Sequence, residues 1–404
     1  MRSDRCATTN STLCDRRMPT WCWWIVSLVL LGTWSNETQG DALDDDLKIV
    51  AAVRPNAVGS EPAQAAVERL KRSGPEAVPR LLVALDTTNV VAANWLRTVL
   101  DDVAARESTR PAAEWPVADI EKYVQDPARP GRARRWALHL LDRLTPGFSN
   151  AWIAKQLDDP EFRGDAVSAT IREGDGLARE KRRRDDALVQ YRLAFIHARE
   201  SDQVLLAAKK LRELGEQVDP ISRLGFVTRW HLVGPFDAPG TSGFENQYEP
   251  ERTVKLDQVF AGVGQNSVSW KTHATEDPLG QVDLIRALAA AREAVGYAYS
   301  ELVLDKPVAC QLRCSADDNL TVWINGDKVL ARKQWLNGTR LDRFMVPVQL
   351  QSGTNRLLVK ICQGPQHADP AVPNNWTFQL RFCDATGAGV PLKISSPPPK
   401  EAAP

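Results

Sequence analysis

Histidine is scarce in this chain, with five residues in 404, and His139, His197, His231, His273 and His367 fall in different segments. No Gly-x-Ser-x-Gly, His-Glu-x-x-His or phosphate-binding glycine loop accompanies them, so the usual frames for nucleophilic, zinc-hydrolytic and phosphoryl-transfer chemistry are missing. Cys-x-x-Cys is absent too, which removes zinc ribbons and dithiol redox motifs. Excess charge is lacking: 51 Lys and Arg balance 51 Asp and Glu, so no net field draws the chain to nucleic acid. The basic run from Lys181 to Arg184 is flanked by Glu180, Asp185 and Asp186 and reads as a solvated helix start. Finally, no apolar run reaches the ~20 residues that a membrane-spanning helix needs.

The longest apolar run, Trp21 to Gly32, follows Arg2, Arg5, Arg16 and Arg17 and precedes Thr38-Gln39-Gly40. Basic, apolar and small-residue regions in that order are the grammar of an export leader. The sequence therefore predicts a signal peptide over 1–40 and a periplasmic, cell-envelope or extracellular protein, held at a membrane only if the leader is retained. Cys6, Cys14 and Cys22 leave with it. Of the four remaining cysteines, Cys310 and Cys314 lie about 13 Å apart along one extended strand, too far to bridge. Cys362 and Cys383 each end a strand, and an exported protein can join them. The alternative is two free thiols.

From Asp41 onward, apolar residues recur at helical spacing, broken by Pro, Gly and Asn. Segments 63–72, 77–85, 90–106, 117–124, 132–144 and 151–157 each carry one apolar stripe, and none can bury it alone. Stacked helix pairs over 41–160, then a second helical region over 161–224, are the expectation. At Gly225 the period changes to alternation, and nine short runs rich in Val, Thr, Trp and Phe predict a β-sandwich over 225–392. Asn325-Gly326 between two such runs marks a tight hairpin. The proline-rich end, 393–404, is expected to be disordered. The predicted fold class is a helical-repeat solenoid followed by an antiparallel jelly-roll β-sandwich.

Several stretches carry a resemblance. Gly74-Pro75-Glu76-Ala77-Val78-Pro79-Arg80-Leu81-Leu82 resembles the opening of a HEAT repeat, and Ala187 to Phe195 with the following helix resembles a tetratricopeptide pair. Trp230-His231-Leu232-Val233-Gly234-Pro235-Phe236, Val322-Trp323-Ile324-Asn325-Gly326 and Gly353 to Lys360 are similar to the galactose-binding-like superfamily, and in particular to exported bacterial proteins of unknown function that join helical repeats to such a sandwich. The resemblance implies loops at one end of the sandwich that bind sugar in some members and are purely structural in others.

Candidate ligand residues follow. Trp335, Asn337, Arg340 and Asp342 occupy the connection after the hairpin, and Trp376 ends the loop from His367 to Asn375; an aromatic face beside amide and charged groups is what a sugar site needs. Asp317 and Asp318, with Asp237, Glu249 and Glu251, offer hard oxygens for a structural calcium ion, although paired acids in a turn also cap backbone amides. No other cofactor is implied, and no catalytic residue is assigned. A glycosidase needs only two suitably spaced carboxylates, which carry no motif. The first expectation is a non-catalytic binding protein, its sandwich recognising a glycan or protein and its helices a protein partner. The competing classes are a component of carbohydrate-active machinery and a structural envelope protein.

Overall fold

The computed structural model describes residues 35–395 except 57, 335–337, 366 and 370; the apolar segment of the expected leader and residues 396–404 of the proline-rich end lie outside them. The chain divides into two compact units, the second beginning at Gly147.

The first unit is helical: α1 (Ser35–Ala51), α2 (Ser60–Leu70), α3 (Val78–Ala84), α4 (Val90–Arg106), α5 (Val117–Gln125) and α6 (Gly131–Leu144). Neighbours pack through the stripes seen in the sequence. Leu96, Val99, Leu100 and Val103 line the buried face of α4, and Asn89 caps it by accepting the amides of Val91 and Ala92, as an N-cap amide does. Arg134 on α6 is buried because its Nε donates to the Val124 carbonyl at 2.8 Å, satisfying an acceptor at the end of α5.

The second unit opens with α7 (Phe148–Ile153), α8 (Arg163–Ala178), α9 (Arg184–His197), α10 (Ser201–Glu213) and α11 (Pro220–Leu224). α7 is shorter than the helix expected over 151–157. α8 had no counterpart among the expected helices, because Gly164, Gly174 and Gly176 interrupt its pattern. Gly174 has a packing reason: a Cβ there would sit 2.6 Å from the ring of Tyr191 on α9. That ring crosses close to the α8 backbone, and its hydroxyl donates to Asp175 at 2.7 Å.

Thirteen strands follow: β1 (Arg229–Asp237), β2 (Val259–Ala261), β3 (Ser267–Ser269), β4 (Lys271–Ala274), β5 (Val282–Asp283), β6 (Ala294–Leu304), β7 (Val308–Ala316), β8 (Leu320–Ile324), β9 (Asp327–Arg332), β10 (Phe344–Leu350), β11 (Gly353–Gln363), β12 (Thr377–Cys383) and β13 (Lys393–Ile394). Every pairing is antiparallel. The larger sheet runs β4-β1-β6-β11-β8-β9 with β13 against β6; the smaller runs β10-β7-β12-β5. The expected architecture, a helical region followed by an antiparallel β-sandwich, is the one observed. β13 itself falls inside the segment expected to be disordered.

The sandwich is covered on more than its inner face. Trp230, Leu312, Trp376, Phe378 and Phe382 fill the space between the sheets. Phe236, Trp270, Tyr297 and Tyr299 form a second apolar layer on the larger sheet, to which Phe244, Tyr248 and Val268 contribute from the excursion between β1 and β4. Phe226, Leu279 and Leu341 join the core of α8 to α11.

The hairpin between β8 and β9 has positive φ at both Asn325 (54°) and Gly326 (94°), the conformation a type I′ turn demands. Nothing lies within 4 Å of a Cβ built on Gly326, so Gly326→Ala adds strain without a clash. The expected loss is about 1 kcal/mol, read from the midpoint of urea unfolding; an unchanged midpoint would show that the turn relaxes at no cost.

Candidate functional site

Four chain segments converge at the end of the sandwich opposite that hairpin. The β7–β8 turn carries Asp317, Asp318 and Asn319, and the β11–β12 connection starts at Gly364. Their carboxylates bind the loops together: Asp318 Oδ2 accepts the Gly364 amide at 2.8 Å, while Asp317 Oδ2 accepts the Thr377 amide at 2.9 Å and its hydroxyl at 2.5 Å. Glu293 brings in the other two segments. Its amide donates to the Gly364 carbonyl, its carbonyl accepts the Ala238 amide, and its carboxylate accepts the Gly240 amide at 2.8 Å. Thr241 and Arg292 are thereby placed at the same mouth.

Between them lies a cavity of about 490 Å³, within the range of small-ligand sites. Its walls mix polar and small apolar groups: Thr241, Arg292, Asp317, Asp318 and Gln363 against Pro365, Ala368, Val372 and Pro373. Asp317 is 2% exposed and Gln363 4%, yet among the described residues Asp317 Oδ1 and Gln363 Oε1 meet no donor, and Asn319 Nδ2 beside them meets no acceptor. Buried polar atoms in folded proteins nearly always have partners. Leaving one unpaired costs about 1–3 kcal/mol.

The residues expected from sequence divide. Asp317 and Asp318 are in this cavity, whereas Trp335 and Asn337 lie outside the described residues. Arg340 is exposed, its amide donating to Ser315 Oγ at 3.1 Å, and does not line the cavity. Trp376 is not a platform for a sugar: it is 0% exposed, in the inter-sheet core, with Nε1 donating to the Ile361 carbonyl at 3.3 Å. It immediately precedes β12, and the alternation of that strand turns its ring inward. Asp342 is likewise structural. Oδ1 accepts Arg381 Nε at 2.8 Å, and Oδ2 accepts Arg313 Nη1 at 3.1 Å and also Arg381 Nη2. Burial alone would raise this carboxyl, but the hydrogen bonds and charges of Arg381 and Arg313 hold it below the ordinary aspartate range.

The five acids suggested for calcium do not meet. Asp237 Oδ2 accepts the Gly264 amide at 3.3 Å, and Glu249 Oε2 accepts Gln258 Nε2 at 2.5 Å. Glu251 Oε1 accepts Lys360 Nζ at 2.8 Å and the Tyr297 hydroxyl at 2.5 Å, on the outer face of the larger sheet. Burial and the Glu251 charge drive the Tyr297 hydroxyl pKa strongly upward, so it stays a donor. Among the described residues, no group of three or more His, Cys, Asp or Glu is placed to hold a metal ion.

The disulfide expectation is corrected as well. Cys362 and Cys383 are free, buried thiols. Cys362 sits on β11 of the larger sheet in the outer aromatic layer, and Cys383 sits on β12 of the smaller sheet, where its nearest polar partner is the Gln311 carbonyl. Different sheets hold them apart. Burial pushes the Cys362 thiol up to about 12 and Cys310 to about 11, which keeps both protonated and unreactive.

No family model and no curated protein matches the chain. Among solved structures, a Faecalibacterium prausnitzii β-glucuronidase is similar at 13% identity and TM-score 0.21, over 42% of this chain and 33% of that one. A GH31 α-xylosidase from Xanthomonas citri is similar at 10% identity and TM-score 0.19, over 39% of this chain and 17% of that one. The chain thus spans a third or less of these two neighbours, and likeness at this level carries no argument about its chemistry. Arg292, Thr241 and Gln363 had no signal in the sequence: no motif marks them, and only the closure of four segments brings them together.

Proposed function

We propose that this protein is a non-catalytic recognition protein working outside the cytoplasm, and that the loop-end cavity of its sandwich binds a carbohydrate. The observation that carries the reading is a cavity of small-ligand size whose lining sets the polar side chains of Thr241, Asp318, Asn374 and Asn375 among small apolar ones. A sugar presents hydroxyls that donate and accept, together with C–H faces suited to Pro365, Val372 and Pro373. The leader-like N-terminal sequence supports export. The scattered histidines support recognition over turnover.

The test is glycan-array screening and a polysaccharide pull-down with the full chain, beside Ala368→Trp. Ala368 is exposed on the cavity wall, so the indole fills the cavity without disturbing the core. Binding weakened by at least about tenfold, or 1.4 kcal/mol, is expected in the variant. Equal binding by both proteins, or no binding to any glycan, overturns the proposal.

A further inference from the structure

The C-terminal end of α9 collects positive charge that no carboxylate pairs. A helix leaves its last four carbonyls without internal partners, and here arginines from three segments serve that end and the turn beside it. Arg199 Nη1 donates to the carbonyls of Ile196, His197 and Ala198 at 3.0, 2.9 and 2.9 Å, and its Nε donates to Thr386 Oγ1 at 3.1 Å. Arg223 Nε donates to the Phe195 carbonyl at 3.2 Å, and its Nη2 to that of Ile196. Arg163 holds the carbonyls of Leu157 and Asp158, each at 3.1 Å. Two guanidiniums bonded to the one Ile196 oxygen have their bonding nitrogens within about 6 Å of each other.

Such caps are favourable, but a helix end supplies only about half a negative charge, and three full positive charges meet it. Among the described residues none of the three is in an ion pair. Asp384, whose field reaches Arg199 and Arg223, keeps Oδ1 on the amides of Thr386 and Ala388 and on the Thr386 hydroxyl. Asp158 is 93% exposed and contacts His197 Nδ1 at 3.2 Å. Arg313, which flanks Gly387 together with Arg199, is tied with Arg381 to Asp342; Glu200 is exposed and acts on Arg381. Burial and the charges of Arg223 and Arg163 lower the Arg199 pKa, and burial lowers that of Arg223, as happens when cations crowd without a counter-ion.

Each guanidinium also keeps one terminal nitrogen free. Arg199 Nη2, Arg223 Nη1 and Arg163 Nη1 make no hydrogen bond among the described residues, and none is sealed from solvent. We infer that these three arginines form a second binding site, separate from the loop-end cavity, and that it takes a phosphoryl group. Such a group brings three strong acceptor oxygens and nearly two negative charges, a match for three outward donors, whereas a carboxylate brings two oxygens and one charge.

The experiment is calorimetric titration of the full chain with inorganic phosphate, glycerol 3-phosphate and acetate, at about pH 7.5, where phosphate is mostly dianionic, and in about 0.15 M chloride, which screens non-specific attraction. Phosphate is expected to bind with a dissociation constant of about 1 mM or lower, and acetate at least about tenfold more weakly. Arg199→Gln and Arg163→Gln are each expected to weaken phosphate binding at least about tenfold. Their amides can still donate to the carbonyls that the arginines hold, and thermal unfolding shows whether the fold is intact; Arg163→Gln carries the test should Arg199→Gln unfold. Arg182→Gln, in the exposed basic run, is expected to change nothing. Glycerol 3-phosphate bound as tightly as phosphate supports a site for phosphate esters, and its exclusion supports one for the free ion. Absence of phosphate binding, equal binding of acetate, or full affinity in both arginine variants overturns the inference.

Discussion

Replacing Lys360 with alanine is expected to destabilise the second unit by about 3–5 kcal/mol, the cost of stripping one partner from a buried ion pair. Lys360 is 2% exposed, near the middle of β11, and points to the outer face of the larger sheet. Its ammonium donates to the Asn246 carbonyl at 2.6 Å, the Phe244 carbonyl at 3.4 Å and Glu251 Oε1 at 2.8 Å, and lies 5.2 Å from the centre of the Tyr248 ring. All four partners belong to the excursion between β1 and β4. The lysine thus clasps that excursion over Phe236, Tyr297 and Tyr299, and its loss leaves the largely buried Glu251 with only neutral donors, the Tyr297 hydroxyl and the Tyr248 amide at 3.5 Å. Urea unfolding followed by tryptophan fluorescence reads the magnitude, and hydrogen exchange over residues 244–256 reads the site, since freed backbone there exchanges faster. Pairing Lys360→Met with Glu251→Gln should recover much of the loss, because no uncompensated charge remains. A single-variant loss below about 1 kcal/mol would place the pair in the class of solvated ion pairs and refute the clasp.

Asp342→Ala is expected to cost a similar amount, about 3–5 kcal/mol near neutral pH, because it leaves two guanidiniums facing each other. Arg381 is 4% exposed on β12, with its Nη1 donating to the Leu224 carbonyl at 3.2 Å, and stacks on Phe226; Arg313 is beside it on β7. The pH dependence has a definite sign. The folded carboxyl titrates below its unfolded value, so the stabilisation is complete above the unfolded aspartate range, about pH 4, and is lost as pH falls through the lower folded value. The difference in stability between the wild type and Asp342→Asn should therefore shrink on acidification below about pH 4. Urea midpoints that stay a constant distance apart from neutral pH down to about pH 3 would mean that this carboxylate titrates alike in both states.

These two clusters show where reading the chain in one dimension loses its grip. Gln311, Arg313 and Ser315 on β7, with Gln379, Arg381 and Cys383 on β12, alternate with core residues and have the pattern of a solvated sheet face. Ser315, Gln379, Arg381 and Cys383 are buried nonetheless, because the chain around Leu224 to Val227 and the connection at Leu341 and Asp342 lie against that face. Alternation reports which residues share a face, and says nothing of what comes to cover it. Asp342 looked like a ligand residue for the same reason: it is a charged side chain in a loop, and its two arginine partners are 29 and 39 residues away in sequence. Trp376 shows the converse error, an aromatic beside a polar loop whose ring the next strand carries into the core.

The sequence by itself determined the order of the halves, the strands β8 and β10 to the residue, the α4 helix, and the turn at Asn325-Gly326, because each depends on local periodicity or on backbone geometry that few residues tolerate. It also marked Asp317 and Asp318. Tertiary structure alone decided that these acids share a cavity with Gln363, Arg292 and Thr241, that Glu251 closes on Lys360 in place of a cation site, and that Cys362 and Cys383 stay apart on separate sheets. Glu251 and Lys360 are 109 positions apart, and such partners are selected by the registers of two sheets and the path of the loops between them, which no local pattern encodes.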